Sequence, residues 1–296
     1  MSNVPTNTRS LRRAAPLIAL LLATACGEPL FPGAPRDDEI LDGPIAGLTG
    51  AQQAAFARGD AEFARPFAPA EGLGPTFIAQ SCDACHAGDG KGHPLFDITR
   101  FGRYEGAAFD PMRADGGPQL QGRAILGHTP ERLPATATVS ARFTPPAVTG
   151  LGLLEAVDDT TILARADSAD LDGDGISGRP SWVDASDLVT RLAAEATVGV
   201  SGGAPRHVAW AGRHLGRFGK KAQAVTLRHQ TVNAYLEDMG LTTDEHSDDL
   251  VVPATGGAAS DGVADPEVGS GIVASVTFYL RTLRPPPRRG ANDPEV

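Results

Sequence analysis

Five consecutive residues, Cys82-Asp83-Ala84-Cys85-His86, constrain this chain more than any other feature because they form a C-x-x-C-H motif. At this spacing, two thiols on one helical turn reach both vinyl groups of a single porphyrin, and the next imidazole meets the iron. The motif therefore predicts one covalently attached haem c, with Cys82 and Cys85 as thioethers and His86 as the proximal ligand. The alternative is a C-x-x-C redox pair or a small disulfide that precedes a histidine.

The third cysteine, Cys26, follows a segment typical of an export signal. A stretch with three arginines precedes an apolar run over residues 14–23, which is too short to span a membrane. Small residues then lead up to Cys26. We therefore expect residues 1–26 to be a lipoprotein-type signal peptide with Cys26 as the lipidated residue. Plain secretory cleavage that leaves Cys26 as a thiol is the alternative.

Residues 27–48 are rich in proline and glycine and are predicted to be a flexible tether. Covalent haem attachment takes place outside the cytoplasm, so the haem motif and the export signal agree on the compartment. We expect an exported, periplasmic protein that is held at the outer membrane by its lipid. The formal net charge of −10 argues against a nucleic-acid partner and favours a basic electron-donor protein.

The remaining sequence is long enough for a domain with a real core. Its 35 glycines, 24 prolines and 5% aromatic content predict many loops around a few helices. The local sequence pattern predicts a short extended segment at residues 139–143. Helical periodicity, caps and breakers place helices at residues 49–65 with Thr49 as N-cap, 75–86, 151–158, 184–196, 227–239 and 271–283.

Several further motifs follow one another in a specific order. They are Gly72-Leu73-Gly74-Pro75, the C-x-x-C-H run, Gly117-Pro118-Gln119-Leu120-Gln121, Gly150-Leu151-Gly152-Leu153-Leu154-Glu155-Ala156, Asp172-Gly173-Asp174-Gly175-Ile176-Ser177-Gly178-Arg179-Pro180, Gly216-Arg217-Phe218-Gly219 and Asp238-Met239-Gly240. In this order they resemble the di-haem oxidoreductase family, which is distantly similar to bacterial di-haem cytochrome c peroxidases. The resemblance runs from about residue 48 to residue 296.

The resemblance implies a mainly α, cytochrome c-like haem domain with long irregular loops over residues 49–285. Members of the family carry a second C-x-x-C-H in a C-terminal domain, whereas this sequence has one. Residues 286–296 are therefore expected to be a truncated lead-in to a missing second haem domain. A small redox partner protein or a second haem domain on another chain would then exchange electrons with this one.

The resemblance also implies a peroxidase-like activity, which reduces hydrogen peroxide or oxidises a small organic donor. In the related enzymes a glutamine and a later acidic residue line the distal side of the haem, and these match Gln230 and either Asp238 or Glu237. A carboxylate can move a proton between the peroxide oxygens, and an amide can hold the bound oxygen. The alternative is an exposed polar helix face.

The resemblance further places Lys220 where the related enzymes have a tryptophan that bridges the two haems. A lysine cannot act as an aromatic relay for electrons. The nearest tryptophans in the sequence are Trp182 and Trp210, which are more often plain core residues.

The sixth iron ligand decides between two classes of function. Met239 could bind the iron and make a single-haem electron carrier without peroxidase activity, although a methionine at the end of a helix more often packs in the core. Met112 and His93 are weaker candidates, and the other histidines are expected on the surface. An open site favours the peroxidase. A protein without haem would be an inactive, calcium-stabilised lipoprotein remnant.

A D-x-D-x-D-G run begins at Asp170 and resembles the start of a calcium loop. The predicted ligands are the side chains of Asp170, Asp172 and Asp174 and the carbonyl of Ile176. The twelfth position of the loop is Ser181 instead of glutamate, so the site would need ligands from elsewhere, and the nearest are Asp167 and Asp184. The alternative is a solvated acidic turn.

Overall fold

The computed structural model describes residues 41–89, 92, 94–184, 207–255, 257–258 and 261–286. Its helices are α1 (Gly50–Ala64), α2 (Leu151–Glu155), α3 (Asp159–Leu163), α4 (Leu227–Met239) and α5 (Ser270–Thr282). Its strands are β1 (Thr76–Phe77), β2 (Ile98–Glu105), β3 (Ala108–Asp110), β4 (Arg123–Ala124), β5 (Val139–Phe143), β6 (Trp182–Val183), β7 (Ala209–Trp210), β8 (Arg213–Leu215), β9 (Val251–Val252) and β10 (Gly257–Ala258).

The hydrophobic core forms where α1 and α4 pack against α5. The ring of Tyr279 on α5 lies 4.9 Å from that of Phe56 and 5.4 Å from that of Phe63, both on α1. A Cβ atom at Gly59 would lie 2.3 Å from the carbonyl oxygen of Ser275. Only glycine therefore lets α1 and α5 approach this closely.

The three long helices agree with the sequence. The hydroxyl of the predicted N-cap Thr49 accepts a hydrogen bond from the backbone amide of Gln52 at 3.3 Å. The side-chain oxygen of Gln52 accepts one from the backbone amide of Thr49 at 2.9 Å, and the two bonds form a capping box. The predictions at 227–239 and 271–283 match α4 and α5 to within one residue, and that at 139–143 matches β5.

The helix predicted over residues 75–86 is wrong. Thr76 and Phe77 pair with β4, and the amides of Ile78 and Ala79 donate to the carbonyl of Asp238 at 2.7 and 3.2 Å. These amides are bonded to distant backbone and cannot close helical hydrogen bonds. The segment therefore enters the haem motif as extended chain.

The expected mainly α architecture is also corrected, because the described residues form a mixed α and β structure. The strands form four small antiparallel sheets, and all of them except β1 and β5 use chain that was expected to be loop. In the largest pairing, β2 lies between β3 and β5 with Ile98 opposite Phe143. The predicted helix over 151–158 is the shorter α2, followed by α3. Long irregular connections remain between these elements, as expected.

Some of the sequence expectations fall outside the described residues. These are the signal peptide at residues 1–26, including Cys26, the tether up to residue 40, the helix at 184–196 beyond its first residue, and residues 287–296. Among the described helices, none has the length and apolar character needed to cross a bilayer.

Candidate functional site

A cavity of about 340 Å³ lies beside the haem motif, within the size range of cofactor sites. One wall is residues 82–86, which we call the attachment turn, and the opposite parts come from α4, from residues 143–148 and from residues 217–221. Cys82, Cys85 and His86 all line the cavity. The three groups predicted to hold one haem therefore face one space.

The attachment turn is a single turn of chain closed by its own backbone. The amides of Cys85 and His86 both donate to the carbonyl of Cys82, at 3.1 and 3.0 Å. The Ala84 amide donates to the Ser81 hydroxyl at 3.1 Å, which fixes the start of the turn. Although no longer helix precedes it, this turn places the two cysteines and the histidine on one side.

Both cysteines of the attachment turn are free thiols. Burial, with a smaller contribution from the nearby Asp238 carboxylate, raises the pKa of the Cys82 thiol to about 12 and that of the Cys85 thiol to about 11. A reactive redox pair needs a lowered thiol pKa. The surroundings of these thiols therefore disfavour the thioredoxin-like alternative.

A hydrogen bond to the backbone of Pro146 orients the imidazole of His86. Its Nδ1 lies 2.8 Å from the carbonyl oxygen of Pro146, so Nδ1–H donates and Nε2 is left to bind a metal. Burial lowers the pKa of His86, which favours the neutral, ligating form. Two thiols and one oriented imidazole beside a cavity fit a covalently attached haem.

The face of α4 toward the cavity is polar. Gln230, Asn233 and Glu237 follow one another at helical spacing, and with Asp238 they line the cavity. We call these four residues the helix wall. The loop that begins at Gly219 meets this wall, because a Cβ atom at Gly219 would lie 3.3 Å from Oε1 of Gln230. The structure thus brings the predicted residues Gln230, Glu237 and Asp238 into the same cavity as the attachment turn.

Asp238 has the most perturbed carboxyl group of the helix wall. Burial raises its pKa to about 7, against the opposing effect of a hydrogen bond from Gln119. Nε2 of Gln119 lies 2.5 Å from Oδ1 of Asp238. At neutral pH this carboxyl group can therefore both give and take a proton.

Glu237 is held by residues that the sequence analysis did not assign to the site. Its Oε2 accepts from the guanidinium of Arg100 at 3.0 Å, and its carbonyl oxygen accepts from the amides of Gln119 at 3.1 Å and Gln121 at 2.9 Å. Gln119 and Gln121 are both 1% exposed. The signal was present in the Gly117–Gln121 motif, because alternate residues of an extended chain share one face.

The structure distinguishes between the candidates for the sixth iron ligand. Met239 is 2% exposed, belongs to the hydrophobic core and also lines the cavity. Met112 is equally buried but does not line it. His93 lies outside the described residues. The expectation of surface histidines is wrong for His229, which is buried with its pKa lowered to about 4.

The lysine at the expected bridge position and the two tryptophans lie apart. Lys220 is exposed at the edge of the cavity. The rings of Trp182 and Trp210 contact each other in a tilted arrangement, with centroids 5.6 Å apart, and neither residue lines the cavity. Trp210 is 59% exposed, so it is not a core residue.

The acidic loop (residues 167–176) gathers a partly different set of oxygens than predicted. Single carboxylate oxygens of Asp167, Asp170 and Asp172 lie within 4.8 Å of one another, whereas the carboxylate of Asp174 is not part of this group. The Asp170 Oδ1 and the Asp174 Oδ1 instead accept backbone amides of the loop itself. Asp184 is exposed and also outside the group. Calcium binding stays a prediction.

Comparison with known proteins identifies the class. Residues 135–296 match the family model described as "Di-haem oxidoreductase, putative peroxidase". This chain therefore belongs to the di-haem oxidoreductase family. The matched segment contains α4 and the helix wall but begins after the attachment turn, so it is shorter than the resemblance from residue 48. Neither a curated protein nor a solved structure matches the chain, and a cytochrome c-like fold stays a prediction.

Proposed function

We propose that this protein is an exported haem oxidoreductase with peroxidase-like activity. It carries one haem c on Cys82, Cys85 and His86 and reduces hydrogen peroxide or oxidises a small organic donor. The observation that carries the proposal is the meeting of the attachment turn and the carboxyl group of Asp238 at one cavity. Membership of the di-haem oxidoreductase family supports the same class of chemistry.

When bound, the haem supplies the iron centre at which peroxide accepts electrons. The protein supplies position and protons. Asp238 takes a proton from one peroxide oxygen and returns it to the departing oxygen, for which a pKa of about 7 is well matched. The side-chain amide of Gln230 would donate a hydrogen bond to peroxide held in the cavity, and Glu237 keeps the positive charge of Arg100 beside the cavity.

The electrons come from outside the described cavity. We propose a small redox partner protein, or a second haem domain on another chain, as their source. The exposed position of Lys220, where related enzymes have a bridging tryptophan, supports delivery by another route. The net charge of −10 suits a basic donor protein.

The location of the protein follows from the sequence before residue 41. We propose export through the signal at residues 1–26 and a lipid on Cys26 that holds the protein at the outer membrane, on the periplasmic side. Mass spectrometry of Cys26 in purified membranes tests this. An acylated Cys26 at the mature N-terminus is the expected result, and a free thiol or an intact leader would contradict it.

An optical spectrum of the purified ferric protein tests the function, after expression with a haem-attachment system. We expect a high-spin spectrum that shifts on addition of either peroxide or cyanide, as an open iron site requires. A low-spin spectrum with a methionine-to-iron band that ignores peroxide would contradict the proposal. That second result would identify a single-haem electron carrier with Met239 as the distal ligand, a function that its place on the cavity wall favours.

A further inference from the structure

Gln119 is the residue outside α4 that is most closely tied to the acid of the helix wall. Its backbone lies against β2, where Arg100 and Gln119 form an antiparallel bridge flanked by hydrogen bonds from Phe101 to Pro118 (2.8 Å) and from Leu120 to Thr99 (2.9 Å). The side chain is 1% exposed. Its place is therefore fixed by the sheet and not by the helix that it contacts.

The orientation of the Gln119 amide follows from its partners. Arg100 can only donate, and it lies 3.2 Å from Oε1 of Gln119, so the amide oxygen faces the guanidinium. The amide nitrogen then faces the carbonyl of Glu237 and Oδ1 of Asp238. Arg100 also binds the Glu237 carboxylate, which prevents the guanidinium from turning away.

Within the described part of the chain, Gln119 is the one side chain that donates to the carboxyl group of Asp238. With Oδ1 held in this way, Asp238 can present its carboxyl group to the cavity in one orientation instead of several. We infer that Gln119 is a positioning residue for Asp238 in the peroxide reaction. The inference rests on the proposed function and extends it to a residue that lies before the matched family segment.

The neighbouring Gln121 gives a matched control for this inference. It is equally buried and donates to the same carbonyl oxygen of Glu237, at 2.9 Å, but it makes no hydrogen bond to Asp238. Gln121→Leu therefore removes an amide from the same region without releasing the acid. Gln119→Leu removes the donor to Asp238, and Gln119→Met removes the same donor with a side chain closer in length to glutamine.

The test measures steady-state peroxide kinetics and cyanide affinity of the haem-loaded ferric variants. We expect Gln119→Leu and Gln119→Met to lower kcat by at least about tenfold with KM within about twofold, because proton transfer is impaired and binding is not. Gln121→Leu should lower kcat several-fold less than either, because it leaves the hydrogen bond from Gln119 to Asp238 in place. Cyanide binding should weaken by about fivefold in both Gln119 variants, since hydrogen cyanide must lose its proton on binding.

A double-mutant cycle separates positioning from general damage. In an Asp238→Asn background, Gln119→Leu should change kcat and cyanide affinity by less than about twofold, because the group on which it acts is already gone. Equal losses in both backgrounds, or equal losses for Gln119→Leu and Gln121→Leu, would overturn the inference. Should Gln119→Leu fail to fold, Gln119→Met gives the same comparison.

Failure of the proposed function would give a different experimental result. A parent protein that neither turns over peroxide nor binds cyanide would remove the peroxidase proposal, and the role of Gln119 would fall with it. A parent that does both, with Gln119 variants that behave like the Gln121 variant, would leave the peroxidase proposal intact and remove only the positioning role.

Discussion

The cavity beside the attachment turn and the acidic loop both begin from a ligand-like sequence motif, yet they are built in different ways. In the cavity, groups far away in the sequence fix the motif residues, as the Pro146 carbonyl does for His86 and Gln119 does for Asp238. In the acidic loop, the carboxylates of Asp167 and Asp170 accept amides of the loop itself. Long-range support of this kind is what a preorganised site requires.

The cavity and the acidic loop also differ in how deeply their residues are buried. The cavity residues are buried enough to shift the pKa values of Cys82, Cys85 and Asp238. The acidic loop is mostly exposed: Asp167 and Asp170 are half-buried, Asp172 is exposed, and Ile176 is 72% accessible. A motif thus becomes a strong functional prediction when other parts of the chain bury it and orient it, and a weaker one when only its own backbone does.

The largest expected effect is on the attachment turn. Cys85→Ala removes one thioether and the buried thiol that faces the cavity, so we expect loss of nearly all stable covalent haem. Mass spectrometry of the denatured protein and a haem stain after denaturing electrophoresis measure it. Asp83→Ala changes an exposed residue between the two cysteines and is the control. If a variant that lacks both Cys82 and Cys85 retained covalent haem, the motif would not be the attachment site.

The next largest effect is expected on the helix wall. Asp238→Asn keeps the size of the side chain and an acceptor for Gln119 but removes the titrating group. We expect kcat/KM for peroxide to fall by about 10² to 10⁴, the usual contribution of a general acid or base. Stopped-flow mixing with peroxide measures it, with Asp83→Asn as a carboxylate control outside the cavity. Equal rates in the two variants would show that Asp238 carries no proton in the reaction.

A pair of glycine substitutions compares the two regions directly. Gly219 and Gly175 both have positive φ, +77° and +82°, so an alanine at either costs about 1 kcal/mol in backbone strain. Only at Gly219 does the new Cβ meet a site residue, Gln230, at 3.3 Å; at Gly175 nothing lies within 4 Å. We expect similar losses in thermal stability but weaker cyanide binding for Gly219→Ala alone. If Gly219→Ala and Gly175→Ala bound cyanide with the same affinity, the loop at Gly219 would not contribute to the site.

Periodicity and capping were enough to predict the three long described helices, α1, α4 and α5. Thr49 followed by Gln52 marks the start of α1, and the glycine after Met239 marks the end of α4. The helix prediction for residues 75–86 failed because Thr76, Phe77 and Ile78 form hydrogen bonds with the backbone of β4 and α4. The local sequence pattern cannot reveal such contacts.

The sequence named only those residues of the candidate site that lie on a motif or on one helix. The C-x-x-C-H run is a local feature, whereas Gln230, Glu237 and Asp238 came from the family resemblance, and their roles stay predictions. Arg100 was not predicted because its role depends on a pairing between β2 and the residue Gln119, and such pairings have no short-range signal. The supporting residues of a site are therefore the ones that sequence reasoning alone is least able to name.

The smallest effect is expected from calcium at the acidic loop. With three carboxylates gathered and little support from elsewhere, binding would be weak, and a millimolar concentration should raise Tm by only a few degrees. Differential scanning calorimetry with calcium and then with a chelator measures this, and magnesium is the control ion. Asp172→Asn should abolish the shift, whereas Asp174→Asn, outside the gathered group, should reduce it less. No shift with calcium would leave the loop as an acidic turn and make the contrast with the cavity complete.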